Sequence, residues 1–263
     1  MSCWFFKKRK VGLVLGGGMA RGIAHIGVLK VLDQYKIPIH CVVGTSSGAM
    51  VGAAFASGME ERLIEEIALR ISWGRILKMA FFRPGFVSGE AIEELMIKYI
   101  GDKMFSELKI PLAVIATDVK TGEPVVIYQG RVAKAVAASS AIPGLVAPAE
   151  INHRFLVDGG FSNNLPVNVA KEMGANYTIA VDVIPSKPIR NLPRNPLRMY
   201  ERAFDIVMHK LSKEQRKKTN ILIEPEMEED IWQLDLHKAK RLISAGEAAA
   251  HRIIGKIRRK VKV

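Results

Sequence analysis

This sequence predicts an α/β fold, with a mostly parallel sheet covered by helices on both faces. Three observations carry that expectation. Apolar, β-rich runs recur along the chain as "VGLVLG", "IHCVVGTS", "PLAVIATDV", "FLVDGG", "YTIAVDVI" and "NILIEP", with helical patterns between them. The runs are nearly continuous in apolar residues, as strands buried on both faces are. With 263 residues, 49% of them hydrophobic, the chain can enclose a sizeable core. We expect a basic and aromatic segment over residues 1–10, then one domain over residues 11–263.

The elements follow in order. The first strand ends in consecutive glycines and leads to a helix read over Gly22 to Tyr35. After the second strand comes a helix from Ser47 to Ser57, stopped by Gly58, and another from Glu60 to Ile71. A helix follows "VSGE" at Ser88 and is closed by Gly101. Ser139 and Ser140, in "AVAASSAIPG", belong to a helix end that Pro143 and Gly144 terminate. The stretch "PSKPIRNLPRNPLRMYERAFDIVMHK" crosses the surface and becomes an amphipathic helix. A last helix covers Lys238 to Ile254. Methionines at helical spacing are read as core filler.

The formal net charge of +13 implies attraction to an anionic partner, phospholipid or nucleic acid. It is concentrated at both ends. Lys7, Lys8, Arg9 and Lys10 follow Trp4, Phe5 and Phe6, and Arg252, Lys256, Arg258, Arg259, Lys260 and Lys262 crowd the C-terminus. Rings beside cations suit peripheral contact with an anionic membrane surface. A nucleic-acid partner is not favoured, because "KEQRKK" belongs to no recognised binding motif. The segment from Ile71 to Phe86 interleaves Trp73, Phe81, Phe82 and Phe86 with Arg75, Lys78 and Arg83. It reads either as a lid or lipid-facing hairpin or as a packed peripheral helix.

Cys3 and Cys41 offer neither a disulfide framework nor metal-ligand spacing, which fits a reducing compartment. The opening "MSCWFFKKRK" lacks the order of a secretory signal. The longest apolar stretch, Val43 to Met59, is interrupted by "GTSSG" and "SG", too broken to span a bilayer. A cytoplasmic protein, peripheral at most to a membrane, is expected.

Two loops carry the chemistry. In "GLVLGGGMARGIAHIGVL", the dinucleotide spacing read from Gly16 and Gly18 fails at Arg21, and a P-loop reading from Gly17 fails at Ile23 and Ala24. What remains is a glycine turn before a helix, whose free backbone N–H groups would hold transient negative charge. "VVGTSSGAMVGAA" places Gly44-Thr45-Ser46-Ser47-Gly48, a G-x-S-x-G match, between an apolar strand and a small-residue helix. Ser47 is a rival nucleophile, but only Ser46 has glycine at both offsets.

Two bases could serve Ser46. Of the six histidines, only His153 sits in a turn-like position, and Ser46, Asp118 and His153 would form a triad in α/β-hydrolase order. Asp158 is the better candidate, because an apolar strand delivers it to a turn at Gly159 and Gly160. Partial burial would raise its pKa and improve it as a base.

Taken in order, "GGGMARG", "GTSSG", "ATDVKTGEPV", "ASSAIPG" and "DGG" followed by "NNLPV" resemble the motifs of the bacterial patatin-like phospholipase family, over roughly Val11 to Ile184. The resemblance implies a three-layer α/β/α fold and a Ser46–Asp158 dyad. It implies an oxyanion loop at Gly16, Gly17 and Gly18, with Arg21 bracing it. It also implies hydrolysis of lipid acyl esters through an acyl-serine, with neither metal nor cofactor. The C-terminal third and Ile71 to Phe86 match loosely and would choose the substrate. Thr117 and Asp118 are read as structural, and Asn163 and Asn164 as holding the Asp158 loop. A slow or silent dyad on this fold would instead make a membrane-surface binding or regulatory module.

Overall fold

The computed structural model describes residues 9–70, 89–186, 189, 191–226, 231–232 and 235–262. The aromatic part of the N-terminal segment and the stretch from Ile71 to Phe86 lie outside the described residues.

The strands are β1 (Val11–Leu15), β2 (Ile39–Thr45), β3 (Leu112–Asp118), β4 (Pro124–Ile127), β5 (Ala149–Ile151), β6 (Arg154–Asp158), β7 (Tyr177–Val181) and β8 (Ile221–Ile223). They form one sheet in the order β5-β6-β3-β2-β1-β7-β8, with β4 also paired to β3. From β3 to β8 the pairing is parallel, whereas β4, β5 and β6 are all joined antiparallel. The expected parallel sheet is therefore mixed at one end.

The helices are α1 (Ala24–Gln34), entered through a 3-10 turn at Met19–Ile23, α2 (Ser47–Ala56), α3 (Glu61–Arg70), α4 (Glu90–Ile100), α5 (Val132–Ser139), α6 (Val167–Glu172), α7 (Pro196–Lys218) and α8 (Ala239–Val261). Asn195 caps α7 by accepting the Arg198 N–H at 2.9 Å, and Pro196 supplies the φ of its first turn. Among the described residues, no helix is long and apolar enough to cross a membrane.

Alternation along the strands divides the core in two. Leu13, Leu15, Val42, Val114 and Ile179 face α1, α2, α5 and α8. Val14, Val43, Ile115 and Ala180 face the other way, against Leu165, Val167 and Ala170 around α6. This is the three-layer arrangement. The thicker layer is fixed by a close crossing of α1 and α8. A Cβ built on Gly27 would lie 2.0 Å from the Ile243 carbonyl oxygen, and one on Gly246 would lie 2.0 Å from that of Ala24. Only hydrogen fits at either position, so α1 and the loop before it are seated directly on α8.

One register feature creates the site. Ile115 of β3 pairs with Thr45 of β2 on one side and with Val126 of β4 on the other. The next residue, Ala116, pairs with Val125 of β4 and with Asp158 of β6. Strands β2 and β6 therefore share one edge of β3 and run toward each other. Their C-terminal ends meet between Ile115 and Ala116. The chain leaves one end at Ser46 and the other at Gly159, which lies against the Ile115 carbonyl and Thr45.

Candidate active site

The head-on junction places the Ser46 hydroxyl where it donates to Asp158 Oδ2 at 2.6 Å. Both side chains are buried, Ser46 at 4% and Asp158 at 1% exposure. Ser46 has φ 53° and ψ −122°, a strained conformation for a residue with a Cβ, between β2 and the first turn of α2. Its neighbours leave no room for relaxation. A Cβ on Gly44 would meet Ala49 backbone at 2.6 Å, and one on Gly48 would meet the Leu15 carbonyl oxygen at 2.1 Å. These are the sharp-turn glycines expected from the motif. The Ser46 N–H donates to Ser139 Oγ at 2.8 Å, and Ser139 in turn donates to the Ile115 carbonyl at 2.5 Å. Ser139, read from sequence as a helix end, thus ties the elbow to β3.

Asp158 is held from several sides. Its Oδ1 accepts the Gly160 N–H at 2.8 Å, and its main-chain carbonyl accepts from Thr117 Oγ1 at 2.8 Å. Burial is the dominant influence on its carboxyl group. Desolvation raises the pKa to about 6, against the smaller opposing effects of the Ser46 and Gly160 hydrogen bonds.

The glycine loop departs from expectation. The Gly16 N–H donates to the Val181 carbonyl at 3.0 Å, which extends the β1–β7 ladder. Gly17 donates to Asn164 Oδ1 at 3.1 Å, and the Asn164 amide returns a bond to the Gly17 carbonyl at 3.4 Å. Gly18 donates to Ser47 Oγ at 3.1 Å. All three N–H groups are therefore engaged within the protein. The Cα of Gly17 still lies against the nucleophile, since a Cβ there would sit 3.2 Å from that of Ser46. Asn164, expected to hold the Asp158 loop, crosses instead to the glycine loop. Ser47, the rival nucleophile, is an acceptor for that loop.

Two further residues brace it. The buried His25 bonds the Gly16 carbonyl through Nε2 at 2.7 Å; burial lowers its pKa to about 4, leaving the ring neutral and Nε2–H the donor. Arg21, 1% exposed, forms an ion pair with Asp205 of α7, its Nη2 lying 2.9 and 2.8 Å from the two carboxylate oxygens. The bracing role given to Arg21 thus acquires a partner about which the motif says nothing.

The alternative triad is not assembled. His153 is fully exposed in the β5–β6 turn, at the end of β6 remote from Asp158. Asn152 and His153 both have positive φ there, 52° and 61°, the geometry of a tight hairpin turn. Asp118 accepts the Lys120 N–H at 2.8 Å, within its own turn.

A strained serine at a strand–helix elbow, facing a buried carboxylate at the end of a layered α/β sheet, defines a serine–aspartate α/β protein. The chain belongs to the patatin-like phospholipase family, whose model matches residues 13–171. It is 35% identical over 184 residues to patatin-like phospholipase domain-containing protein 7 of Rattus norvegicus, covering 66% of this chain and 13% of that protein. It is 35% identical over 191 residues to an NTE family protein of Mycobacterium bovis, covering 70% of this chain and 33% of that one. The chain thus spans a third or less of the length of these two relatives. Among solved structures, VipD from Legionella pneumophila aligns with a TM-score of 0.56 at 14% identity, over 95% of this chain and 67% of that one. The type III effector protein ExoU of Pseudomonas aeruginosa aligns with a TM-score of 0.52 at 15% identity, over 95% and 54%. These two share the fold.

Proposed function

We propose that the protein is a serine acyl hydrolase acting on carboxylic esters of lipids, of phospholipase A or lysophospholipase type. The observation that carries this reading is the 2.6 Å hydrogen bond from a strained Ser46 to a buried Asp158. Asp158 is ionised above about pH 6 and accepts the Ser46 proton as Oγ attacks the ester carbonyl. A carboxylate of this pKa is a stronger base than one in water. The tetrahedral intermediate collapses, the alcohol leaves with the proton held by Asp158, and the acyl group remains on Ser46. Water, deprotonated by Asp158, then releases the acid.

The developing oxyanion needs donors. In this reading Gly17 and Gly18 supply them by exchanging their side-chain acceptors, Asn164 and Ser47, for the oxyanion. The N-terminus of α2, whose Ala49 and Met50 N–H groups are already bonded to the Ser46 carbonyl, adds the field of its dipole. Gly16 serves as the ladder residue that aims the loop. Arg21, Gly44, Gly48, Gly159 and Gly160 support the geometry without touching substrate.

Steady-state hydrolysis of lysophospholipid and of a short-chain p-nitrophenyl ester tests the proposal. The expected result is a kcat/KM that falls below about pH 6 as one group protonates, and loss of turnover in Ser46→Ala with the fold intact. Turnover surviving Ser46→Ala refutes it. The engagement of all three glycine N–H groups favours one second reading, a slow regulatory module on the same fold; absence of turnover in folded wild type would select it.

A further inference from the structure

Helix α7 carries two apolar faces, and among the described residues only one of them is covered. Phe204 and Met208 turn inward with Glu201, Asp205 and Ser212. On the outer face Met199, Tyr200, Ile206, Val207 and Leu211 stand 40–53% exposed. Their spacing, with Ala203 between them, makes one continuous stripe along the helix. Scattered exposed apolar residues are ordinary, whereas a contiguous stripe marks a binding surface.

The stripe begins at the rim of the candidate site. Tyr200 donates its hydroxyl to the Pro143 carbonyl at 3.2 Å, and the Asp158 N–H donates to the Ala141 carbonyl two residues earlier at 2.9 Å. Leu145, 39% exposed, extends the apolar surface across that turn. On its inner side α7 closes against the site through Phe204, which packs on Phe161 with ring centroids 4.4 Å apart.

Charge selects the partner. Over Pro196–Lys218 the helix has seven basic and three acidic residues, and two of the acids, Glu201 and Asp205, are buried. Lys210, Lys213, Lys217 and Lys218 lie on the exposed side of its C-terminal half. A second copy packed about a two-fold axis would set one net-positive helix against another. An anionic bilayer takes the apolar stripe at its acyl boundary while the lysines reach its phosphates.

We propose that α7 is the surface by which the protein lies on an anionic lipid bilayer, turning the mouth of the Ser46–Asp158 site toward the membrane. The proposal rests on the lipid-ester reading of that site.

Flotation of the full chain with phosphatidylcholine vesicles, with and without phosphatidylglycerol, tests it. Three proteins are compared: wild type, Ile206→Ser/Val207→Ser and Lys210→Glu/Lys213→Glu. Wild type should float with the anionic vesicles. The serine pair should lower partitioning about a hundredfold through lost apolar burial, and the glutamate pair should abolish the preference for anionic lipid. Both variants should cleave a water-soluble short-chain ester at the wild-type rate, which separates lipid docking from chemistry. Wild-type partitioning in both variants overturns the proposal. So does a wild-type dimer that the serine pair dissociates without altering flotation. Should the soluble ester resist wild type while the flotation pattern holds, the hydrolase reading fails and the docking surface stands.

Discussion

Replacing Asp158 by Asn should make the protein more stable at alkaline pH while disabling the site. Burial raises the Asp158 pKa from an ordinary 3.8 to about 6, which corresponds to about 3 kcal/mol of differential interaction between its protonated and ionised forms. The sign follows from proton binding. Between those two values the folded protein holds a proton that the unfolded chain has released, so stability falls as pH rises through this window and stays lower above it. Asn has the same shape and carries no charge at any pH. Its carbonyl can accept the Gly160 N–H while its amide faces Ser46 Oγ. Denaturant unfolding of wild type and Asp158→Asn at a series of pH values isolates the effect, because the other titrating groups cancel in the difference. The variant should be about 3 kcal/mol more stable at pH 8, a melting shift of roughly 5 °C or more, with the gap closing toward pH 4. A variant no more stable than wild type at pH 8, or a gap independent of pH, would refute the claim that a desolvated carboxylate sits beside Ser46.

Other perturbations follow from the same geometry. His25, with its pKa lowered to about 4, contributes stability that is full above its unfolded value near 6.5 and is lost as pH falls toward 4; His25→Gln should remove about 3 kcal/mol of that dependence in unfolding curves. Asp205→Ala leaves Arg21 buried without its carboxylate and should destabilise by about 3–5 kcal/mol, much of it regained in Arg21→Met/Asp205→Leu. Asn164→Ala removes the amide hydrogen bond to the Gly17 carbonyl that aims the glycine loop and should lower kcat about 10- to 100-fold with KM and the titre of active serine unchanged; a titre that falls in step with kcat would argue for a general folding defect. Gly246→Ala forces a methyl group against the Ala24 carbonyl and should cost about 2–3 kcal/mol in thermal unfolding.

How much of this was legible in the sequence depends on the range over which each signal acts. Every strand predicted from a continuous apolar run is present, because burial on both faces writes itself into composition. The short strands β4 and β5 carry no such run, only one of their seven residues is fully buried, and the β5–β6 turn uses Asn152-His153 in place of a glycine pair. They were not legible, and with them went the antiparallel direction of β6. That direction matters most, since it is the head-on meeting of β2 and β6 that joins Ser46 to Asp158. Both residues were readable as candidates from their glycine neighbours, but their contact was a matter of register.

The supporting residues show the same limit. Gly44, Gly48 and Gly159 announce close backbone approach by being glycine. Asn164, Ser139 and His25 act through hydrogen bonds to residues 147, 93 and 9 positions away, and no local pattern encodes such pairs. Asp205 lies 184 residues from Arg21, inside a helix whose polar and apolar residues look ordinary in sequence. A basic, aromatic N-terminus suggested the membrane-facing surface by composition, whereas the exposed stripe of α7 emerges only once its other face is known to be covered.

The central claim, that Asp158 activates Ser46, is tested most directly by treating wild type, Ser46→Ala and Asp158→Asn with a fluorophosphonate and weighing each intact protein. The account predicts one adduct on wild type and none on either variant. An adduct persisting on Ser46→Ala, or undiminished labelling of Asp158→Asn, would contradict it.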